Sequence, residues 1–109
     1  MDYNLYEYYL TQTAENDIDA VIRYISVDLS NPDAAKNFVD QLEELFEELC
    51  NTPKLGKTIN NEFLRRNDVR LVHVKNYNIY YLINEMKSLV VILRIVYSGR
   101  DQDEILKMI

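Results

Sequence analysis

The sequence predicts an α+β domain of two layers: an N-terminal strand, then an antiparallel helical hairpin packed on one face of a small antiparallel sheet, in the order β-α-α-β-β-β. Three observations predict it. Between Ala14 and Leu49 the apolar residues recur at the i, i+3, i+4, i+7 spacing of helices, in two stripes parted only by Ser30-Asn31-Pro32-Asp33. From Val69 onward the pattern changes to runs of β-branched and aromatic residues separated by short polar breaks, which is how antiparallel strands read. Finally, 109 residues that are 48% apolar and 28% charged suit one soluble globular domain, residues 1–109, with a single packed core.

Each element has its own justification. Tyr3 to Leu10 is aromatic-rich and free of Gly and Pro, which reads as the first strand. Thr11 or Thr13 then suits a helix cap, and Ile18, Val21, Ile22, Ile25 and Leu29 form one stripe, with Asp17, Asp19 and Arg23 off it. Asp17 also lies near the helix start, where a negative charge is favourable. At the break, Ser30 or Asn31 caps, Pro32 is tolerated in the first turn and Asp33 suits the positive helix end. The second helix carries Ala35, Phe38, Val39, Leu42, Leu45, Phe46 and Leu49 on one face, with Asp40, Glu43, Glu44, Glu47 and Glu48 on the other, and stops at Asn51-Thr52-Pro53. Lys54 to Asp68 is polar and reads as loop, with Phe63-Leu64 a short strand or docking point. Val69–Val74 and Tyr77–Ile83 are strand candidates, and Asn84 to Ser88 turns the chain into a third, Leu89–Tyr97. Ser98-Gly99 ends that strand, and Asp103–Ile109 has room for one helical turn or a frayed end. With both helices on one side, the other sheet face is expected to stand bare, lined by tyrosine and arginine.

Leu89–Tyr97 is the composition of a strand apolar on both faces, yet Arg94 interrupts it. A covered strand excludes an unpaired charge, so Arg94 requires a partner elsewhere in the chain. Arg94 and Tyr97, three apart, point to opposite faces of a regular strand.

Composition excludes several classes of function. One Cys and one His rule out an internal disulfide and a structural zinc site, and fit a reducing, cytoplasmic setting. The opening Met1-Asp2-Tyr3-Asn4 has neither a basic patch nor an apolar leader, and the longest apolar run is too short for a membrane helix, so no membrane association is expected. Charge is divided unevenly: residues 1–53 hold 12 acidic and 2 basic side chains, residues 54–109 hold 6 acidic and 10 basic ones. An acidic side and a basic side are expected, a polarity that concerns partners. The net charge of -6 argues against strong non-specific nucleic-acid binding, while the basic half leaves room for a local site.

Candidate chemistry is sparse. The carboxylates of Glu43, Glu44, Glu47 and Glu48 have i, i+4 spacing and would suit a hard cation, but the same spacing describes an ordinary solvated helix face. His73 is a candidate general base by residue type, though no Ser or Cys accompanies it at an interpretable spacing. Cys50 continues the core stripe and reads as a packed residue. Lys54, Lys57, Arg65, Arg66, Arg70, Lys75, Arg94 and Arg100 share a half that is also rich in Tyr. Arginine forks bind phosphate and tyrosines stack on bases; the same residues would equally keep a sheet soluble and pair with the acidic half.

Taken in order, a set of segments resembles the RelE/ParE superfamily of bacterial type II toxins, over nearly the whole chain. They are the N-terminal strand; Ala14-Glu15-Asn16-Asp17-Ile18 with Ile22 and Tyr24-Ile25; Asn31-Pro32 with Ala34-Ala35; Leu49 with Pro53; Asn76-Tyr77-Asn78-Ile79-Tyr80-Tyr81; and Leu93-Arg94-Ile95-Val96-Tyr97-Ser98-Gly99-Arg100-Asp101. The resemblance implies a growth-arresting, plasmid-stabilising toxin of a toxin–antitoxin module, held inactive by a cognate antitoxin, needing no cofactor and no metal. It leaves two targets: DNA gyrase for ParE-like members, or mRNA on the ribosome for RelE-like members, which are metal-independent endoribonucleases. In the nuclease case Arg70 would orient phosphate, Arg100 would stabilise the transition state and Tyr97 would assist proton transfer as the 2′-hydroxyl attacks. The family's nucleases carry an Arg directly after the Tyr matching Tyr77; here Asn78 stands there. That departure, the acidic hairpin and the Asp17/Tyr24 helix signature bring the chain closer to ParE. An inactive antitoxin-binding module of the same fold is a further alternative, and the assembly would be a homodimer or a toxin–antitoxin hetero-oligomer.

Overall fold

The computed structural model describes residues 5–109. Tyr3 and Asn4 of the expected first strand lie outside the described residues. The chain runs through β1 (Glu7–Leu10), α1 (Gln12–Arg23), α2 (Pro32–Asn51), β2 (Lys57–Thr58), β3 (Arg70–Val74), β4 (Tyr77–Asn84), β5 (Leu89–Tyr97) and α3 (Gln102–Lys107). The helical hairpin and the three long strands are therefore as the sequence predicts. The sheet has five strands in the order β1-β5-β4-β3-β2. It is mixed rather than antiparallel: β1 pairs parallel to β5, while every other pair is antiparallel. Periodicity tells which residues share a face but carries no information on strand direction, so the parallel pair had no sequence signal. β2 was read as loop because its two residues, Lys57 and Thr58, are both exposed and show no apolar alternation.

Capping fixes where the helices begin. Thr11 Oγ1 accepts the Ala14 N–H at 3.1 Å, and Asn31 Oδ1 accepts the Ala34 N–H at 3.1 Å with Pro32 opening α2. α1 runs into a π-helical turn, Tyr24–Asp28, whose wider winding is closed by Leu29 N–H to Tyr24 O at 3.0 Å. One extra residue per turn rotates the stripe, so Ile18, Val21 and Ile25 pack on the core while Leu29, expected on the same stripe, is 54% exposed. The α2 stripe holds: Phe38, Leu42, Leu45, Phe46 and Leu49 pack with Ile79, Tyr81, Val90, Ile92 and Ile95 of the sheet.

The opposite face is not bare. A second cluster covers it, in which Ile105 and Leu106 of α3 and Leu64 of the 59–69 loop pack on Val69, Tyr80 and Val96. The short apolar pair of α3 was too brief to register as a periodic element, yet together with Leu64 and its neighbours it covers Tyr80, which is 2% exposed. Asp101 caps α3 by accepting the Asp103 N–H at 3.1 Å, and Asn61 donates to Asp103 at 3.0 Å, tying loop to helix.

Arg94 has its partner. The guanidinium makes two bonds to the Asp17 carboxylate, Nε to Oδ2 at 2.8 Å and Nη2 to Oδ1 at 3.1 Å, with both side chains nearly buried. Asp17 Oδ2 also accepts the backbone N–H of Ile95 at 3.0 Å. The reason lies in strand length. β1 pairs with Leu89 to Ile92 only, so β5 becomes an edge beyond that point. There α1 takes over: the Thr11 N–H and hydroxyl donate to the carbonyls of Ile92 and Leu93 at 3.1 and 3.2 Å, and Asp17 serves Ile95. Leu93 is the extra residue of a bulge, since Tyr80 pairs with Arg94 but Tyr81 with Ile92. Beyond the bulge Tyr97 stands opposite Tyr77 on the helix side, and Arg94 stands opposite Tyr80 on the α3 side.

Candidate functional site

A concavity of about 710 Å³ lies where α1 and its π turn meet the far ends of β4 and β5. Its helical wall is Val21, Tyr24, Ile25 and Leu29; its sheet wall is Tyr77 and Tyr97, with Lys75 and Arg100 on the rim. Tyr24, Leu29 and Tyr97 are each about half exposed, so the groove presents phenol rings and aliphatic side chains to solvent.

Local structure positions these groups. The β3–β4 hairpin turns through Lys75, held at a left-handed φ of 49°, and Asn76. The Asn76 carbonyl accepts the Ser98 N–H at 2.8 Å, joining this hairpin to the turn that follows β5. That turn is closed by Arg100 N–H to Tyr97 O at 3.1 Å. The Tyr97 ring lies over Gly99, where any Cβ would collide with its Cε2, so only glycine lets the ring fold back. Phe38, Tyr77 and Tyr97 form an aromatic row, with ring centres 5.0 Å and 6.0 Å apart. Burial, reinforced by the neighbouring Tyr24 and Tyr97 phenols, raises the Tyr77 pKa above its ordinary value.

Of the residues singled out in the sequence, Tyr97 and Arg100 come together on this groove; Arg70 does not. Arg70 opens β3, pairs with Tyr81, and donates from Nη1 to the Gly56 carbonyl at 2.6 Å. It lines a separate cleft with Lys54 and Arg66, and Arg66 is itself bound by Asp68 through two bonds of 2.6 and 2.8 Å, which lower the Asp68 pKa. The Tyr81 hydroxyl stands beside this corner, donating to Pro53 O at 2.7 Å and accepting the Gly56 N–H at 2.8 Å. Arg94 is taken up by Asp17. His73 is exposed and its Nδ1 meets Asn78 Oδ1 at 2.8 Å. Cys50 is buried, and desolvation, then Glu47 and Glu7, raise its pKa and keep it a thiol. Glu43, Glu44, Glu47 and Glu48 are exposed, and no group of three or more metal-ligating side chains converges among the described residues.

At the base of the turn, Gln102 escaped the sequence reading, which takes Asn78 and Tyr80 only as part of the family motif and not as its partners. Gln102 Oε1 accepts from Asn78 Nδ2 at 3.1 Å and from the Tyr80 hydroxyl. Gln102 Nε2 donates to the carbonyls of Arg100 at 2.8 Å and Tyr97 at 3.2 Å. Asn78 is 6% exposed, so the position that in nucleases of this superfamily holds an Arg is here enclosed and bonded inward. A buried Asn in a strand was the one available signal, since such a group demands partners.

This architecture recurs in solved structures. One is a chromosomal ParDE toxin–antitoxin system of Pseudomonas aeruginosa, with TM-score 0.67, 21% identity, and coverage of 87% of this chain and 98% of that one. Another is the toxin–antitoxin complex RelBE2 of Mycobacterium tuberculosis, with TM-score 0.61, 21% identity, and 84% and 96% coverage. A third is the isolated RelE toxin of Escherichia coli, with TM-score 0.56, 13% identity, and 95% and 99% coverage. No curated protein matches the chain in sequence. The fold is thus that of the RelE/ParE toxins. Within that class the family model described as the ParE toxin of the type II toxin–antitoxin system parDE matches residues 8–102, and the chain belongs to that family. No helix among the described residues is long and apolar enough to cross a membrane.

Proposed function

We propose that this chain arrests growth by acting on DNA gyrase, that a cognate antitoxin restrains it, and that the groove between Tyr24, Tyr77 and Tyr97 with its Lys75 and Arg100 rim is where it meets protein partners. The observation that carries the choice of gyrase over mRNA is the dispersal of the basic groups. RNA cleavage without a metal needs a phosphate clamp and a proton-transfer group within reach of one phosphodiester. Arg70 instead braces Gly56 at the other end of the strands, and Asn78 occupies the adjoining position and bonds inward. A phenol-lined apolar groove with two cations on its rim has the character of a protein contact. The acidic α2 face also works against the phosphate attraction that ribosome binding requires.

The second reading, cleavage of ribosome-bound mRNA, is favoured by the adjacency of Tyr97 and Arg100. On that reading Arg100 stabilises the pentavalent phosphate, Tyr97 transfers a proton, and Arg70 orients the message from outside the groove. Two assays separate the readings. Purified chain is expected to inhibit supercoiling by gyrase, and ribosome-bound message from induced cells is expected to show no new 5′ ends by primer extension. Codon-spaced cuts that vanish in Arg100→Ala, with supercoiling unaffected, would reverse the choice. Normal growth at verified expression would remove both.

A further inference from the structure

We propose that Gln102 is a positioning residue: its side-chain amide sets the Tyr97–Arg100 turn, and so the presentation of both side chains to whatever the groove receives. The inference rests on the reading of that groove given above. The geometry divides the amide into two halves. The oxygen faces the sheet and takes Asn78 Nδ2 and the Tyr80 hydroxyl. The nitrogen faces the turn and gives its hydrogens to Arg100 O at 2.8 Å and Tyr97 O at 3.2 Å, with Ser98 O at 3.5 Å. His73 Nδ1 on Asn78 Oδ1 fixes the orientation of Asn78, hence which end of Gln102 it meets. Fastening α3 to the sheet requires only the oxygen half, because Ile105 and Leu106 supply the rest of the docking. The nitrogen half goes wholly to the turn. Without it the turn keeps two backbone bonds, Arg100 N–H to Tyr97 O and Ser98 N–H to Asn76 O, at an exposed chain reversal.

The two halves are separable by substitution. Gln102→Glu keeps an acceptor for Asn78 and Tyr80 but removes both donors to the turn. Tyr80→Phe removes one bond on the oxygen side and leaves the donors untouched. Full-length wild type, Gln102→Glu and Tyr80→Phe are compared by thermal unfolding, by amide hydrogen exchange at Arg100 and at Ile79 of β4, and by growth arrest on induction. Gln102→Glu is expected to speed Arg100 exchange about tenfold with Ile79 unchanged, and to weaken arrest, since a lost hydrogen bond is worth roughly that factor. Tyr80→Phe is expected to lower the unfolding temperature while leaving Arg100 exchange and arrest at wild-type levels. Should Gln102→Glu fail to fold, the uncharged Gln102→Met takes its place with the same expectation at Arg100. Wild-type exchange and arrest in the Gln102 variant would overturn the assignment, as would Tyr80→Phe matching it in both. If the wild-type chain itself leaves growth unaffected, the toxin reading fails, and the exchange comparison still decides the role of Gln102.

Discussion

A guanidinium in the middle of an aliphatic strand is costly to desolvate, and only a well-placed carboxylate with further hydrogen bonds offsets that cost. Asp17 meets the requirement twice over, binding Arg94 through both oxygens and taking the Ile95 N–H as well. Asp17→Ala strands a buried cation and a backbone donor together, so it is expected to destabilise by about 3–5 kcal/mol in urea unfolding. The double variant Asp17→Leu/Arg94→Met, which removes both charges, is expected to recover most of that loss; a double variant as unstable as the single one would contradict the pairing argument. At this scale the sequence was partly legible. It showed that Arg94 needs a partner, while Tyr97 and Arg100 were named together only through the family resemblance. It gave no means of choosing Asp17 as that partner; Asp17 reads there as a favourable charge near a helix start and as part of the Asp17/Tyr24 signature of the resemblance. Nor did it separate Arg70 from the groove, since that depends on strand order and register rather than on local pattern.

The long elements announced themselves; of the short ones, β2 did not, and α3 showed only as room for one helical turn. α2, with its repeated apolar face, and the three sheet strands of five to nine residues carry enough periods to be read directly. β2, with two residues, and α3, with six, carry less than two periods each. The consequence was an error about the sheet: its second face was expected to be empty, and α3 with the 59–69 loop fills it. The error has an energetic measure. Ile105 is 1% exposed, so Ile105→Ala is expected to cost about 2–5 kcal/mol, the ordinary range for truncating a packed aliphatic side chain. Urea unfolding decides the matter, and a loss near zero would mean that α3 only rests on the sheet. The π turn is a subtler case. Its sequence, Tyr24 to Asp28, contains neither Gly nor Pro, and nothing local marks the extra residue that turns Leu29 outward.

Over the whole molecule, three tyrosines tie stability to alkaline pH. Burial raises the pKa values of Tyr77, Tyr80 and Tyr81 above the ordinary 10.0. A raised folded-state pKa means that the folded chain holds its protons longer than the unfolded chain does. The contribution is therefore fully present below about pH 10 and is lost as pH rises through the folded-state values. Unfolding temperature is expected to fall above about pH 10, with the late phenolate absorbance at these three residues appearing together with loss of structure. Phenolate formation complete before any unfolding would show that the three rings are freely solvated. The acidic residues of α2 lie on its exposed face, and Lys75 and Arg100 edge the groove.

The Asp17 carboxylate on Ile95 has one more consequence, for colloidal behaviour. A strand end with a vacant amide invites the same strand of another copy to dock on it, and such docking propagates into fibrils. Because that amide is already occupied, β5 offers no growing point there. Loss of Asp17 would then be felt twice, first as a softer fold and again as turbidity when the protein is concentrated.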